Sequence, residues 1–290
     1  MPYPYYLSIA GITLMLDSGH PLMENREFVP FLIGETAADV RAGFREVKRL
    51  PPVPEHLLYM DECCRIGLDA RGNPRKYFFE TPEDPVPYAA STYDRASGEI
   101  RVEYLGAYAR CVSEVRSCFH LLGFEAILLN RDKLCLHAAC VDTSLGGILF
   151  SGVSGIGKST QAELWCRYRN ARQINGDRPI LSREGEGWAA WGSPYAGSSK
   201  CHVNDSCAVT AIVLLKQGDT CSARRLRPAE AFRGVWAGLT VRSWDVAFVD
   251  AASSLAIDLV MKVPVFEFSC TPDERAVDYL EQVLRKENAE

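Results

Sequence analysis

Gly152-Val153-Ser154-Gly155-Ile156-Gly157-Lys158-Ser159-Thr160 decides how this chain is read. It fits G-x-x-x-x-G-K-[ST], the phosphate-cradling P-loop, also called Walker A. Before it, Gly147 to Ser151 is a short apolar run that predicts a buried strand. After it, Ser159 to about Arg169 runs without a breaker and predicts a helix, with Ala162, Trp165 and Tyr168 near one face. Strand, glycine loop and helix start in that order build an anion hole, because backbone N–H groups converge over the positive end of the helix dipole. Glycine at 152, 155 and 157 allows close backbone approach, Lys158 reaches β- and γ-phosphates, and the Ser159 hydroxyl is placed to ligate Mg²⁺.

Around this loop the composition is ordinary. The chain has 290 residues, 32 Lys plus Arg against 37 Asp plus Glu, and a net charge of −5. That is room for one large or two ordinary domains. Without a basic tract, neither nucleic acid nor a membrane surface has electrostatic support as a partner. Met1 to Leu16 is apolar but lacks a basic start and contains Pro2 and Pro4, so it reads as an opening strand and not as a signal peptide. The 11 cysteines are odd in number and several sit in apolar segments, which predicts free thiols in a reducing, cytoplasmic setting. Cys63-Cys64 and Cys201-His202…Cys207 lack the paired spacing of a zinc module.

Ahead of the P-loop, Thr36 to Arg49 is expected as a short helix on the spacing of Val40, Phe44 and Val47. Arg65–Asp69 and Lys76–Glu80 are expected as a hairpin, and Glu99 to Leu105 as an alternating strand. From Val112 to Ala126 apolar residues recur at three- and four-residue steps, predicting a helix of about four turns despite Gly123. Leu134 to Val141 reads as one strand. These changes of character place a boundary near residue 110, with 1–110 an accessory or acceptor-selecting domain and 111–290 the nucleotide-binding one. Beyond the P-loop helix, 173–181 reads as a strand interrupted by a charged tip, then a hairpin returns through Trp188 to Trp191. A small-residue loop (192–200), an apolar strand (208–215), helices over 229–240 and 246–261, a last strand (263–268) and a helix opened by Thr271-Pro272-Asp273-Glu274 complete the expectation.

Neither a guanine-specificity motif nor an ABC signature accompanies the P-loop, and no acid-ended apolar run makes a convincing Walker B strand. Leu136-His137-Ala138-Ala139-Cys140-Val141-Asp142, the loop itself, and Asn175-Gly176-Asp177-Arg178-Pro179 together resemble the kinase domain of HPr kinase/phosphorylase. They are closer still to the small HPr-kinase-like, phosphoenolpyruvate-carboxykinase-like serine kinases. The resemblance covers about 112–285. It implies an α/β P-loop kinase domain of the HPr kinase/phosphoenolpyruvate carboxykinase type, preceded by a small α+β, β-rich domain. It also implies ATP and Mg²⁺ as cofactors, and a hydroxyl-bearing acceptor in a peptide, a protein or a small molecule.

On that resemblance the catalytic set is Asp177, His137 and Lys158, the cofactor-binding set is 152–160 with Arg178, and the metal ligands are Ser159 and Asp177. Each has a plainer reading: Asp177 as a turn residue, His137 as a core histidine, Arg178 as a surface charge. Lys200, Arg224, Arg225 and Arg227 could receive the γ-phosphate or an anionic acceptor, but read more simply as a solvated charged face. The family usually places two adjacent acids after the P-loop helix, whereas this chain has Gly176 before Asp177. A nucleotide-binding regulator without transfer chemistry, and a carboxykinase-type enzyme, therefore stay open beside the kinase; so do a homo-oligomer and the choice of ATP or GTP.

Overall fold

The computed structural model describes residues 4–18, 26–94 and 97–287. It is mixed α/β and forms two compact units, one up to Ile127 and one from Leu128 onward. Among the described residues each unit has its own sheet, and no strand is shared between them.

The front unit strings together β1 (Tyr5–Ile9), β2 (Ile12–Ser18), β3 (Leu32–Ile33), β4 (Val40–Val47), β5 (Leu57–Met60), β6 (Cys64–Leu68), β7 (Pro74–Phe78), β8 (Ala89–Asp94) and β9 (Glu99–Leu105). Their order in the sheet is β3-β1-β2-β4-β9-β8-β7-β6-β5. The β6–β7 hairpin and β9 match the sequence pattern, with Ile100, Val102 and Tyr104 buried on one face. The helix expected over 36–49 is instead β4, which pairs in parallel with β2 on one edge and β9 on the other. Ala42 and Phe44 are its buried positions, a period of two that partners on both edges enforce. The opening strand is likewise a hairpin, turning at Ala10-Gly11, both with positive φ.

Three helices follow: α1 (Ala109–Ser113), α2 (Val115–Leu122) and α3 (Phe124–Leu129). The single helix expected over 112–126 is broken twice, at the extended Glu114 and at Gly123, whose φ of 64° caps α2 in the left-handed conformation. The seam between units also lies further along than residue 110. Phe119 of α2 meets Phe28 edge-on at 5.6 Å, and His120 meets Phe78 at 4.8 Å, so this helix belongs to the front sheet.

The back unit runs β10 (Lys133–Cys135), β11 (Ala138–Thr143), β12 (Gly146–Ser151), α4 (Lys158–Arg169), β13 (Arg172–Asn175), β14 (Ile180–Glu184), β15 (Gly187–Trp191) and β16 (Ser206–Gln217). It ends with β17 (Ser222–Arg225), α5 (Pro228–Trp236), α6 (Val246–Lys262), β18 (Val265–Cys270) and α7 (Glu274–Glu287). The sheet order is β10-β14-β15-β16-β12-β11-β13, with β18 parallel to β16 and β17 beside β18. Ala162 and Trp165 of α4, with Val277, Leu280 and Leu284 of α7, pack on Val141, Phe150, Val213 and Phe268 of the strands. Trp165 is fully buried in this cluster, so Trp165→Ala would cost about 3–5 kcal/mol and loosen the seat of the P-loop helix.

The strand expected over 134–141 is two strands. β10 pairs with β14 and β11 with β12, so the chain changes partners at Leu136-His137. Leu136 is buried in a bridge to Leu239, and the His137 amide donates to Gly238 O at 2.8 Å. Lost ladder bonds are thus replaced by the segment after α5.

Candidate functional site

β12 ends at Ser151, opposite Ala138 of β11, and the Ser151 hydroxyl donates to His137 O at 2.9 Å. The P-loop therefore begins beside His137. Its glycines have φ values of 145° (Gly152), 78° (Gly155) and 110° (Gly157), a region other residues avoid. α4 starts directly from Gly157 with no side-chain cap, which leaves its first amides directed at the loop's hollow. Lys158 is buried in the first turn and its ammonium donates to Gly152 O and Val153 O, both at 3.1 Å. Burial pushes the Lys158 ammonium below its ordinary value, while the nearby Asp177 carboxylate acts in the opposite direction.

The facing wall is the turn after β13, and Asn175 builds it. This side chain is fully buried, and its Oδ1 accepts from the amides of Asp177 (3.0 Å) and Arg178 (2.7 Å). Its Nδ2 donates to Ser193 O (3.0 Å) and Tyr195 O (3.1 Å), and Ser193 Oγ donates to Arg178 O (2.7 Å). Every arm of the amide is engaged, so the turn is held from both sides. Asp177 O in turn accepts the amide of Ala138 at 2.9 Å, tying the turn to the start of β11.

As a result His137 Nε2 lies 3.2 Å from Asp177 Oδ1, and Arg178 Nε lies 3.8 Å from Asp177 Oδ2. Arg178 is steadied by Thr240 Oγ1 (2.7 Å), with its guanidinium 5.7 Å from the centre of the Tyr195 ring. Ser159 Oγ is 3.1 Å from Ser198 Oγ. The structure thus brings His137, Lys158, Asp177 and Arg178 to one place at the mouth of the P-loop.

Other candidates fall away from it. Arg224 and Arg227 pair with Glu230, Arg224 also with Glu267, and Arg225 with Glu287. Cys201 O accepts the Gly176 amide and His202 bridges Asn175, both backbone roles. Asn175 and Ser193 hold this turn, and neither is among the candidate site residues read from the sequence, although Asn175 opens the 175–179 stretch that carries the resemblance. The cysteines described are free thiols.

An acid at position 176 has no room. A Cβ there would stand 1.9 Å from Ser199 Oγ and 2.5 Å from the Ala196 carbonyl oxygen. The glycine is required by the loop over it, so Asp177 is the one acid of this turn.

No family model matches the chain, and no curated protein does. Among solved structures, the HPr(Ser) kinase/phosphatase from Coxiella burnetii is similar over 53% of this chain and 94% of that chain, at 14% identity and a TM-score of 0.33. A likeness this weak speaks to neither activity nor acceptor. No helix among the described residues is long and apolar enough to cross a membrane.

Proposed function

We propose that the chain is an ATP-dependent phosphotransferase that phosphorylates a hydroxyl, of a serine in a peptide or protein or of a small alcohol. The observation that carries this reading is Asp177, clamped by Asn175 and set 3.2 Å from His137 at the P-loop's mouth. P-loop amides and Lys158 hold the β- and γ-phosphates. Ser159 and Asp177 fit a hard cation, both being oxygen donors beside the anion hole. Bound Mg²⁺ would neutralise charge developing on the phosphoryl oxygens.

Asp177 accepts the proton of the acceptor hydroxyl as its oxygen bonds to the γ-phosphorus and the bond to ADP breaks. His137, in contact with the same carboxylate, orients it and can take the proton onward. Arg178 steadies the second carboxylate oxygen or the transferred group. Acceptor choice is assigned to the front unit on domain logic; front-unit surface variants should then shift the KM for the acceptor and not for ATP.

A screen of serine, serine peptides and small alcohols with Mg-ATP tests the reading. Asp177→Asn should lower transfer about a hundredfold or more while ATP binding changes by less than about tenfold. Equal transfer by the Asn variant would remove Asp177 as the base. The lone acid favours a second reading, a nucleotide-binding regulator, and a parent that binds ATP but consumes none across the screen would establish it.

A further inference from the structure

The loop of residues 192–200 leans on the turn that carries Asp177. A Cβ at Gly197 would stand 2.8 Å from the Cβ of Asp177, a milder clash than the one at Gly176 but still too close for a side chain. Ser199 Oγ accepts from Gln173 Nε2 at 3.2 Å and donates to Ala196 O at 3.3 Å, which pins the base of the loop. Ser198 is left at the exposed tip, and among the described residues its hydroxyl meets one side chain, Ser159, at 3.1 Å. Ser159 lies in the first turn of α4, directly after Lys158.

Two oxygens at this separation suit neighbouring positions on Mg²⁺. An octahedral ion with bonds of about 2.1 Å has edges of about 3 Å. We propose that Ser198 is a second hydroxyl ligand of nucleotide-bound Mg²⁺, alongside Ser159. It supplies the oxygen that position 176 does not, because the packing that excludes a side chain at Gly176 is the packing that delivers Ser198 to Ser159. Loop hydroxyls held by Mg²⁺ and the γ-phosphate, and released after transfer, are an established switch design. This inference rests on the nucleotide reading given above, and it makes the 192–200 loop sensitive to the phosphate state of the nucleotide.

The test reads metal binding directly and not activity. Mn²⁺ would be titrated into the full chain plus ATP and followed by electron paramagnetic resonance, with ATP affinity measured in parallel in EDTA. Ser198→Ala should weaken Mn²⁺ binding to the ATP complex about tenfold and leave ATP affinity in EDTA within about twofold. Ser198→Thr keeps the hydroxyl and should restore the parent value within about threefold. Ser198→Cys should favour Cd²⁺ over Mg²⁺ relative to the parent, as a softer donor requires. Unchanged Mn²⁺ affinity in Ser198→Ala, with the parent binding Mn-ATP, overturns the role of Ser198 and leaves the nucleotide reading standing. A parent that binds no ATP with or without metal overturns both.

Discussion

Two loops face each other across the proposed phosphate site, and they use glycine for opposite reasons. In the P-loop, a Cβ at Gly155 or Gly157 would meet nothing within 4 Å, and Val153 is 71% exposed. In the wall opposite, Cβ atoms at Gly176, Gly192 and Gly197 would collide with Ala196, Val203 and Asp177. In the first loop Gly155 and Gly157 set backbone angles in open space, while Gly152 at the loop's start is packed, a Cβ there standing 3.2 Å from Ile156 Cγ2. The second is crowded, and its glycines let one stretch of chain lie on another. One loop is thus open at its centre, and the other is packed against the turn that carries Asp177.

The comparison predicts different penalties for adding a side chain. Gly176→Asp would restore a pair of acids on paper. It should instead displace the Ala196–Ser199 segment, cost about 3 kcal/mol in urea unfolding, and lower transfer activity. A variant as stable as the parent and more active would show that the crowding is not what excludes the acid. Gly155→Ala has free space but a φ of 78°, so its stability loss should be smaller, about 1 kcal/mol. Its ATP affinity should fall by more than that loss accounts for, since the new methyl group faces the phosphates; an unchanged affinity would mean the loop holds no phosphate.

The smallest effect concerns the seat of the P-loop helix. The Arg169 guanidinium of α4 holds the Glu281 carboxyl of α7 below its ordinary range. A carboxylate lowered in this way stabilises the fold fully above its unfolded value of about 4.3, and that stabilisation is lost as pH falls through the lower folded value. Glu281→Gln should cost about 0.5 kcal/mol at neutral pH. The gap in Tm from the parent should close in acid; a gap that stays constant to pH 3 would show that the ion pair is not its source.

The same contrast explains what could be seen in the sequence. The strand, loop and helix around 152–160 were legible because they are neighbours in the chain, β12 running through the loop into α4. The tip at 176–179 was also visible as polar residues between two apolar runs. The clamp behind it was not, since Asn175 and Ser193 are 18 residues apart and become partners only when the 192–200 loop folds over. Elsewhere, β4 read as a helix because a short window carries no trace of its parallel partners β2 and β9. Gly123 read as a residue inside a helix; it is a left-handed cap that ends α2. His137 read as a residue inside a strand; it sits at a change of partners, which is what leaves its ring free to reach Asp177.

Everything proposed for this chain depends on the loop at 152–160 holding nucleotide phosphates. Calorimetric titration of Mg-ATP into the full chain, with Lys158→Ala alongside, tests that most directly. The parent should bind with a Kd in the micromolar range, about −8 kcal/mol, and the variant at least about a hundredfold more weakly. No heat of binding from the parent with either ATP or GTP, or equal binding by Lys158→Ala, would contradict the account.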